Sequence, residues 1–157
     1  VFVMALECSI RPAWHSDADA ISQIIRSALR ETNAKDYTEE VIAGLAEKFS
    51  PDAVKARMGN RKVFVAILEE EIVGTASLEG TAIRSVFVAP GVQGRGIGRR
   101  LMAEVERAAL EAGIATLTVP SSVTAERFYA KLGFKAVRDS YYGEERTIIM
   151  ERHLTPA

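Results

Sequence analysis

A glycine-rich stretch in the middle of the chain, VAPGVQGRGIGRRLM from Val88 to Met102, strongly limits how the protein can fold. It follows the apolar, β-branched run TAIRSVFV and precedes apolar residues that recur at helical spacing from Ile97 to Ala112. A strand that enters a glycine-rich turn and continues as a helix leaves backbone N–H groups free at the helix N-terminus, where an anion is favoured. The sequence therefore predicts a strand, an anion-binding loop and a helix in this order.

The residues before this stretch predict a strand, then helices, then two more strands. The run LECSIRPA predicts the first strand, and a helix capped by Ser16 follows with Ile21, Ile24 and Ile25 on one face. Two shorter helices come next, the second with Ser50 as its cap and Pro51 at its first position. The runs KVFVAILEE and EIVGTASLEG then predict an antiparallel hairpin that pairs with TAIRSVFVAP.

The residues after the long helix complete the pattern. ATLTVPSS predicts a buried strand, VTAERFYAKL a helix that stops at Gly133, and the remaining segment a hairpin around Gly143. The sequence contains no repeat, low-complexity segment or linker. We therefore predict one mixed α/β domain over residues 1–157.

The composition limits the classes of binding partner and the cellular compartment that we expect for this protein. The 157 residues are 48% hydrophobic and 26% charged, with a net charge of -1, so we expect no nucleic-acid partner and no membrane association. One cysteine, Cys8, and two separated histidines, His15 and His153, predict neither an internal disulfide nor a metal site. A single cysteine without a disulfide partner fits a protein of the reducing cytoplasm. The opening VFVMAL is too short for a signal peptide or a membrane span, and Met4 is a candidate native start.

Two common phosphate-binding loops do not fit the glycine spacing. A dinucleotide-binding loop needs G-x-G-x-x-G, but the last position is Arg99 when counted from Gly94 and Leu101 when counted from Gly96. The next strand ends in serines rather than in an acidic residue that could bind a ribose. A P-loop needs Gly-Lys followed by Ser or Thr, whereas these glycines are followed by arginine or isoleucine. Both nucleotide loops are excluded.

The spacing of Gln93, Gly96 and Gly98 is Q-x-x-G-x-G, and it resembles the acetyl-CoA signature of the GNAT N-acetyltransferase superfamily. A second segment, SSVTAERFYAKLGF, is similar to the other motif of that family, although Ser122 stands where many members have asparagine. The resemblance covers nearly the whole chain. It implies a GNAT-type α/β fold, of the mixed α+β kind, with a central, mostly antiparallel sheet of six to seven strands flanked by helices.

The resemblance also implies acetyl-CoA as co-substrate, without a metal. Backbone amides from Gln93 through Arg99 would surround the pyrophosphate, and arginines of this loop would reach its oxygens unless they are only a solvated helix start. The pantetheine arm would pair with the strand that precedes the loop. The predicted cofactor-binding residues are Phe87, Val88, Gln93, Gly94, Arg95, Gly96, Ile97, Gly98, Arg99, Ser122 and Phe128, with Arg100 as a further phosphate contact.

Two catalytic residues are predicted. The resemblance assigns Tyr129 as the proton donor to the departing CoA thiolate, because a phenol with a pKa of about 10 is neutral at pH 7. The alternative is a ring that only packs beside Phe128. An acceptor ammonium with a pKa of about 10.4 must lose a proton before attack, and we predict Glu79 as the base, with Asp36 and Glu31 as further candidates.

The predicted reaction is direct attack of a primary amine on acetyl-CoA in a ternary complex. The acceptor is a small molecule or a peptide, and four aromatic residues are candidates to line its pocket, unless they only cover an edge of the core. A non-catalytic acyl-CoA sensor and a protein lysine or N-terminal acetyltransferase are the alternatives, and a homodimer is left open. The candidate lining residues are Trp14, Tyr37, Tyr141 and Tyr142.

Overall fold

The computed structural model describes residues 8–154, and within them seven strands form one sheet with helices packed on both faces. The opening VFVMAL and the candidate start Met4 lie outside the described residues. The elements are β1 (Cys8–Pro12), α1 (Ala18–Glu31), α2 (Glu39–Glu47), α3 (Pro51–Arg57), β2 (Lys62–Leu68), β3 (Glu71–Glu79), β4 (Ala82–Val88), α4 (Ile97–Glu111), β5 (Thr116–Ser122), α5 (Glu126–Lys131), β6 (Lys135–Tyr142) and β7 (Glu145–His153).

The strand order is β1-β2-β3-β4-β5-β7-β6, and every neighbouring pair except β4 and β5 is antiparallel. The predicted mixed, mostly antiparallel sheet flanked by helices is confirmed. β4 and β5 are parallel and pair at one position, Ala82 with Thr118. Beyond this position the two strands separate, and the sheet opens between their carboxyl-terminal halves.

A bulge in β4 accompanies this opening. The register between β3 and β4 shifts between Thr75 and Ser77, and Ser85 on the opposite strand has a φ of 53°. A β-bulge adds a residue to one strand, bends it and increases its twist. The bulge therefore lies within the strand that turns away from β5.

The sheet separates two apolar clusters, because side chains alternate between its faces. On β2, Phe64 and Ala66 point into the cluster under α4, while Val65 between them joins the cluster under α1, α2 and α3. The helix α4 lies close to β3 at Gly74, where an added Cβ would stand 3.0 Å from Cδ1 of Leu101. This contact fixes the start of α4 against the sheet.

The helix ends agree only in part with the sequence patterns. α3 begins as predicted, with the Ser50 hydroxyl accepting a hydrogen bond from Ala53 N at 3.2 Å. The prediction that Ser16 caps α1 is wrong. A 3-10 turn over His15–Asp17 precedes the helix, and the buried Asp17 carboxylate accepts from Trp14 N at 2.6 Å and from Arg11 at 2.8 Å.

The helix predicted over VTAERFYAKL is shorter in the structure. It begins at Glu126, because the Ser122 hydroxyl accepts from Ala125 N at 3.2 Å and closes a turn before the helix. None of the helices within residues 8–154 combines the length and apolar character that crossing a membrane requires.

The contact between α4 and the sheet predicts a large stability difference between two leucines of that helix. Leu101 is fully buried and Leu110 is 44% exposed. We expect Leu101→Ala to lower the free energy of unfolding by about 3 kcal/mol, and Leu110→Ala by about 0.5 kcal/mol or less. Urea denaturation followed by circular dichroism measures both. Equal losses in the two variants would contradict this packing.

Candidate active site

A cavity of about 880 Å³ lies where β4 and β5 separate. Its wall includes the end of β4, the glycine-rich loop, the first turn of α4, and parts of β5 and α5. Most of the predicted site residues are brought together here: Phe87, Val88, Gln93, Gly94, Gly96, Ile97, Gly98, Arg99, Ser122, Phe128 and Tyr129.

Three predicted residues lie elsewhere. Arg95 is exposed and is not part of the cavity wall. The guanidinium of Arg100 donates to the carbonyl of Cys8, so this side chain turns toward β1 instead of toward the cavity. Glu79 ends β3 outside the wall, and its two carboxylate oxygens lie 3.5 Å from Nε of Arg61 and 3.5 Å from Nε of Arg84. Its role as a base stays a prediction.

The glycine-rich loop leads into α4, which begins at the cavity without a side-chain cap. Gly94 and Gly96 have φ values of 81° and 79°, which a residue with a Cβ adopts only at a cost. Gly96 is the N-cap of α4, no side chain caps this end, and the first turn holds no acidic residue. The positive end of the helix dipole is therefore uncompensated, and its N–H groups are free to bind an anion.

Gly98 is required for a different reason, since its φ is ordinary. A Cβ at this position would lie 3.2 Å from two ring atoms of Phe128. That ring packs edge-to-face on Tyr129 at 5.1 Å between centroids, and Tyr129 packs on Phe134 at 5.8 Å. The first turn of α4 and α5 thus meet at a contact that leaves no room for a side chain at position 98.

The side chain of Gln93 ties the loop to two other elements. Its Nε2 donates to Oγ1 of Thr32, just after α1, and to the carbonyl of Val88 at the end of β4, both at 3.2 Å. The sequence motif predicts a ligand contact for the backbone of Gln93 and no role for its side chain. In the structure, the side chain connects the end of β4 to the residue that follows α1.

Tyr129 is 4% exposed, and no described residue forms a hydrogen bond with its hydroxyl. Burial in this apolar surrounding raises its pKa well above the ordinary value. The phenol therefore keeps its proton throughout the physiological pH range.

The opposite wall of the cavity comes from α1, α2, α3 and the loop between the first two helices. Of the four aromatic candidates, Tyr37 lines the cavity, while Trp14, Tyr141 and Tyr142 are 61%, 65% and 79% exposed and do not. Sequence reasoning missed three arginines that also line the cavity, Arg57 at the end of α3, Arg61 just before β2 and Arg84 in β4, because they fit no motif.

Tyr37 holds this loop against the other side of the site. Its hydroxyl donates to the carbonyl of Arg146 at 2.9 Å and accepts from Val123 N at 2.7 Å. Burial raises the pKa of this hydroxyl, so it remains a donor. Next to it, Asp36 accepts from the Thr124 hydroxyl at 2.8 Å, which gives this candidate base a structural partner.

The described residues hold no group of three or more histidine, cysteine, aspartate or glutamate side chains arranged to bind a metal.

The fold and this site define an acetyltransferase, and the comparisons identify the family. The acetyltransferase (GNAT) domain model matches residues 33–150. The chain is 30% identical over 132 residues to the peptidyl-lysine N-acetyltransferase YjaB of Salmonella typhimurium, covering 81% of this chain and 83% of that protein.

Two solved structures have the same fold. A GCN5-related N-acetyltransferase from Rhodopseudomonas palustris superposes with a TM-score of 0.90 at 28% identity, over 96% of this chain and 99% of that one. The PaiA N-acetyltransferase of Thermoplasma acidophilum, in complex with coenzyme A, superposes with a TM-score of 0.80 at 21% identity. This match covers 95% of this chain and 100% of that one. The protein is an N-acetyltransferase and belongs to the GNAT family.

The two hydrogen bonds of Tyr37 generate a stability prediction. Tyr37→Phe removes both bonds and leaves the Val123 N–H without its partner, so we expect unfolding to cost about 1–3 kcal/mol less. Tyr142→Phe is the matched control, because that side chain is 79% exposed, and we expect no measurable change. Urea unfolding curves compare the two. If both variants match the unmodified protein, the Tyr37 hydroxyl does not hold the loop.

Proposed function

We propose that the protein transfers the acetyl group of acetyl-CoA to a primary amine by direct attack in a ternary complex. The observation that carries this proposal is the meeting of three features in one cavity: the uncapped start of α4, the unpaired edge of β4 and the buried phenol of Tyr129. Each meets a different chemical need of acetyl transfer.

The start of α4 serves the donor's pyrophosphate. Its free N–H groups and the helix dipole favour a phosphate group, and the left-handed glycines allow the main chain to approach closely. Arg99 lines the cavity beside them and is the arginine placed to add a charge-assisted hydrogen bond. The solved relative with coenzyme A bound supports the same donor for this chain.

The edge of β4 serves the pantetheine arm and the thioester. Phe87 and Val88 pair with β3 on one side, while the side toward β5 has no strand partner beyond Ala82. An extended amide-containing chain can add to such an edge as another strand would. A free backbone N–H near Val88 would then polarise the thioester carbonyl and stabilise the tetrahedral intermediate.

Tyr129 serves the leaving group. Burial raises the pKa of this phenol, so it is neutral and holds the proton that the departing thiolate needs. The phenol donates a hydrogen bond to the sulfur as the carbon–sulfur bond breaks, which stabilises the developing negative charge and places its proton for transfer to the thiolate. Burial makes this donation stronger than it would be in water.

The acceptor amine must be deprotonated for attack, and Glu79 remains the predicted base. Since this carboxylate is outside the cavity wall, the proton would have to reach it through water. The 30% identical relative is named as a peptidyl-lysine N-acetyltransferase, so the lysine side chain of a peptide is the second candidate acceptor. A cytoplasmic location and a homodimer also stay predictions.

The contact of Gly98 with Phe128 predicts a defect in donor binding. Gly98→Ala would push the aromatic ring or the first turn of α4 aside by a few tenths of an ångström, and we expect coenzyme A to bind at least tenfold more weakly. Gly91→Ala is the matched control, because a Cβ there meets no atom within 4 Å. Calorimetric titration with coenzyme A measures both variants. Failure of the unmodified protein to bind coenzyme A would overturn the proposed donor.

The role of Tyr129 predicts a defect in turnover without a defect in binding. Tyr129→Phe keeps the ring contacts with Phe128 and Phe134, so we expect normal folding and coenzyme A affinity. We expect kcat for acetyl transfer to fall on the order of a hundredfold. Release of free thiol from acetyl-CoA, with a panel of primary amines, measures it. Unchanged kcat would remove Tyr129 from the reaction.

A further inference from the structure

We infer that the acceptor carries a carboxylate in addition to its amine, and that Arg57, Arg61 and Arg84 bind this carboxylate. The inference rests on the proposed acetyl transfer and adds the substrate class. It comes from three cationic side chains that the fold gathers on the acceptor side of the cavity.

The three arginines reach the same wall from separate elements. Arg57 ends α3, Arg61 precedes β2, and Arg84 lies in β4. The guanidinium of Arg57 stands 4.7 Å over the ring of Phe49, which itself lines the cavity. Stacking on an aromatic ring holds a guanidinium in place while its N–H edge stays available.

The hydrogen bonds of these arginines are incomplete. Nη1 of Arg57 is buried without a hydrogen-bond partner among the described residues. Nε of Arg61 and Nε of Arg84 face the Glu79 carboxylate at 3.5 Å without a well-formed hydrogen bond. A buried donor without a partner costs free energy, and the cost is larger for a charged group. A ligand with acceptor oxygens removes this cost when it binds.

The charge balance of the cluster points to the same kind of ligand. Glu79 is the carboxylate within 4 Å of Arg61 and Arg84, and Arg57 forms no ion pair with any residue of 8–154. The cluster therefore has three positive charges and one neighbouring negative charge. Burial and the repulsion from Arg57 and Arg84 lower the pKa of Arg61, while Glu79 opposes both effects.

The cluster also borders the predicted reaction centre. Nη1 of Arg61 donates to Oγ of Ser85 at 3.3 Å, and Ser85 is the bulged residue of β4 with the positive φ. Val88, the predicted thioester contact, follows three residues later, which is roughly 10 Å along a strand. A short chain between amine and carboxylate spans this distance. Amines with a second positive charge in place of the carboxylate would be repelled.

The test compares straight-chain ω-amino carboxylates of two to six carbons with the alkylamines in which a methyl group replaces the carboxylate. Thiol release from acetyl-CoA gives kcat/KM for each pair. We expect the unmodified protein to prefer at least one carboxylate over its alkylamine by tenfold or more. This comparison needs no variant, so it does not depend on how a variant folds.

The variants assign the preference to the cluster. Arg61→Gln should lower kcat/KM for the preferred carboxylate about tenfold to a hundredfold more than kcat/KM for the matched alkylamine, and leave coenzyme A affinity unchanged. Arg107→Gln is the control, because Arg107 is an exposed residue of α4 that pairs with Glu104 and Glu111 outside the cavity.

The outcomes separate this inference from the proposed function. Acetylation of alkylamines, or of lysine peptides, without preference for a carboxylate would overturn the inference and leave acetyl transfer standing. A carboxylate preference that survives in Arg61→Gln would also overturn the assignment to this cluster. Absence of both coenzyme A binding and thiol release with every amine would overturn the proposed function itself.

Discussion

The separation of β4 from β5 is the constraint on which the site depends. Elsewhere in the sheet, neighbouring strands pair along most of their length, so their backbone groups are satisfied and their edges are closed. Here the pair meets at Ala82 and Thr118 and then diverges, which leaves main-chain groups and a cavity of about 880 Å³ between two parallel strands. Without this opening, the glycine-rich loop would bind an anion at the edge of a closed sheet.

The two apolar clusters stabilise the sheet although β4 and β5 separate. α4 covers one face of the sheet and α1 to α3 cover the other, so the strands stay anchored even where β4 and β5 do not pair. Gly74 lets α4 settle directly on β3, and this fixes the uncapped helix end at the mouth of the opening. The bonds of Gln93 and Tyr37 then join the loops across it.

The cavity has two electrostatic ends with different origins. At the donor end the positive potential comes from backbone N–H groups and a helix dipole, which persist at every pH and need no particular side chain. At the opposite end it comes from the side chains of Arg57, Arg61 and Arg84.

Much of the donor site could be predicted from the sequence because its signals are local. Gln93, Gly96 and Gly98 lie within six residues, and the neighbouring strand and helix patterns give the loop its context. The segment around Tyr129 is also continuous. The positions of individual side chains were not predictable in the same way, since Arg95 is exposed outside the cavity wall and Arg100 turns toward β1.

By itself, the sequence determined the elements, their order and the glycine positions of the predicted anion-binding loop, because hydrophobic period and glycine spacing act over a few residues. Tertiary structure alone decided that Arg57, Arg61 and Arg84 share one wall, that Glu79 contacts two of them from outside it, and that Tyr129 is buried in the opening. These relations depend on how the separated strands and the surrounding helices pack in three dimensions. No pattern along one chain records such distances.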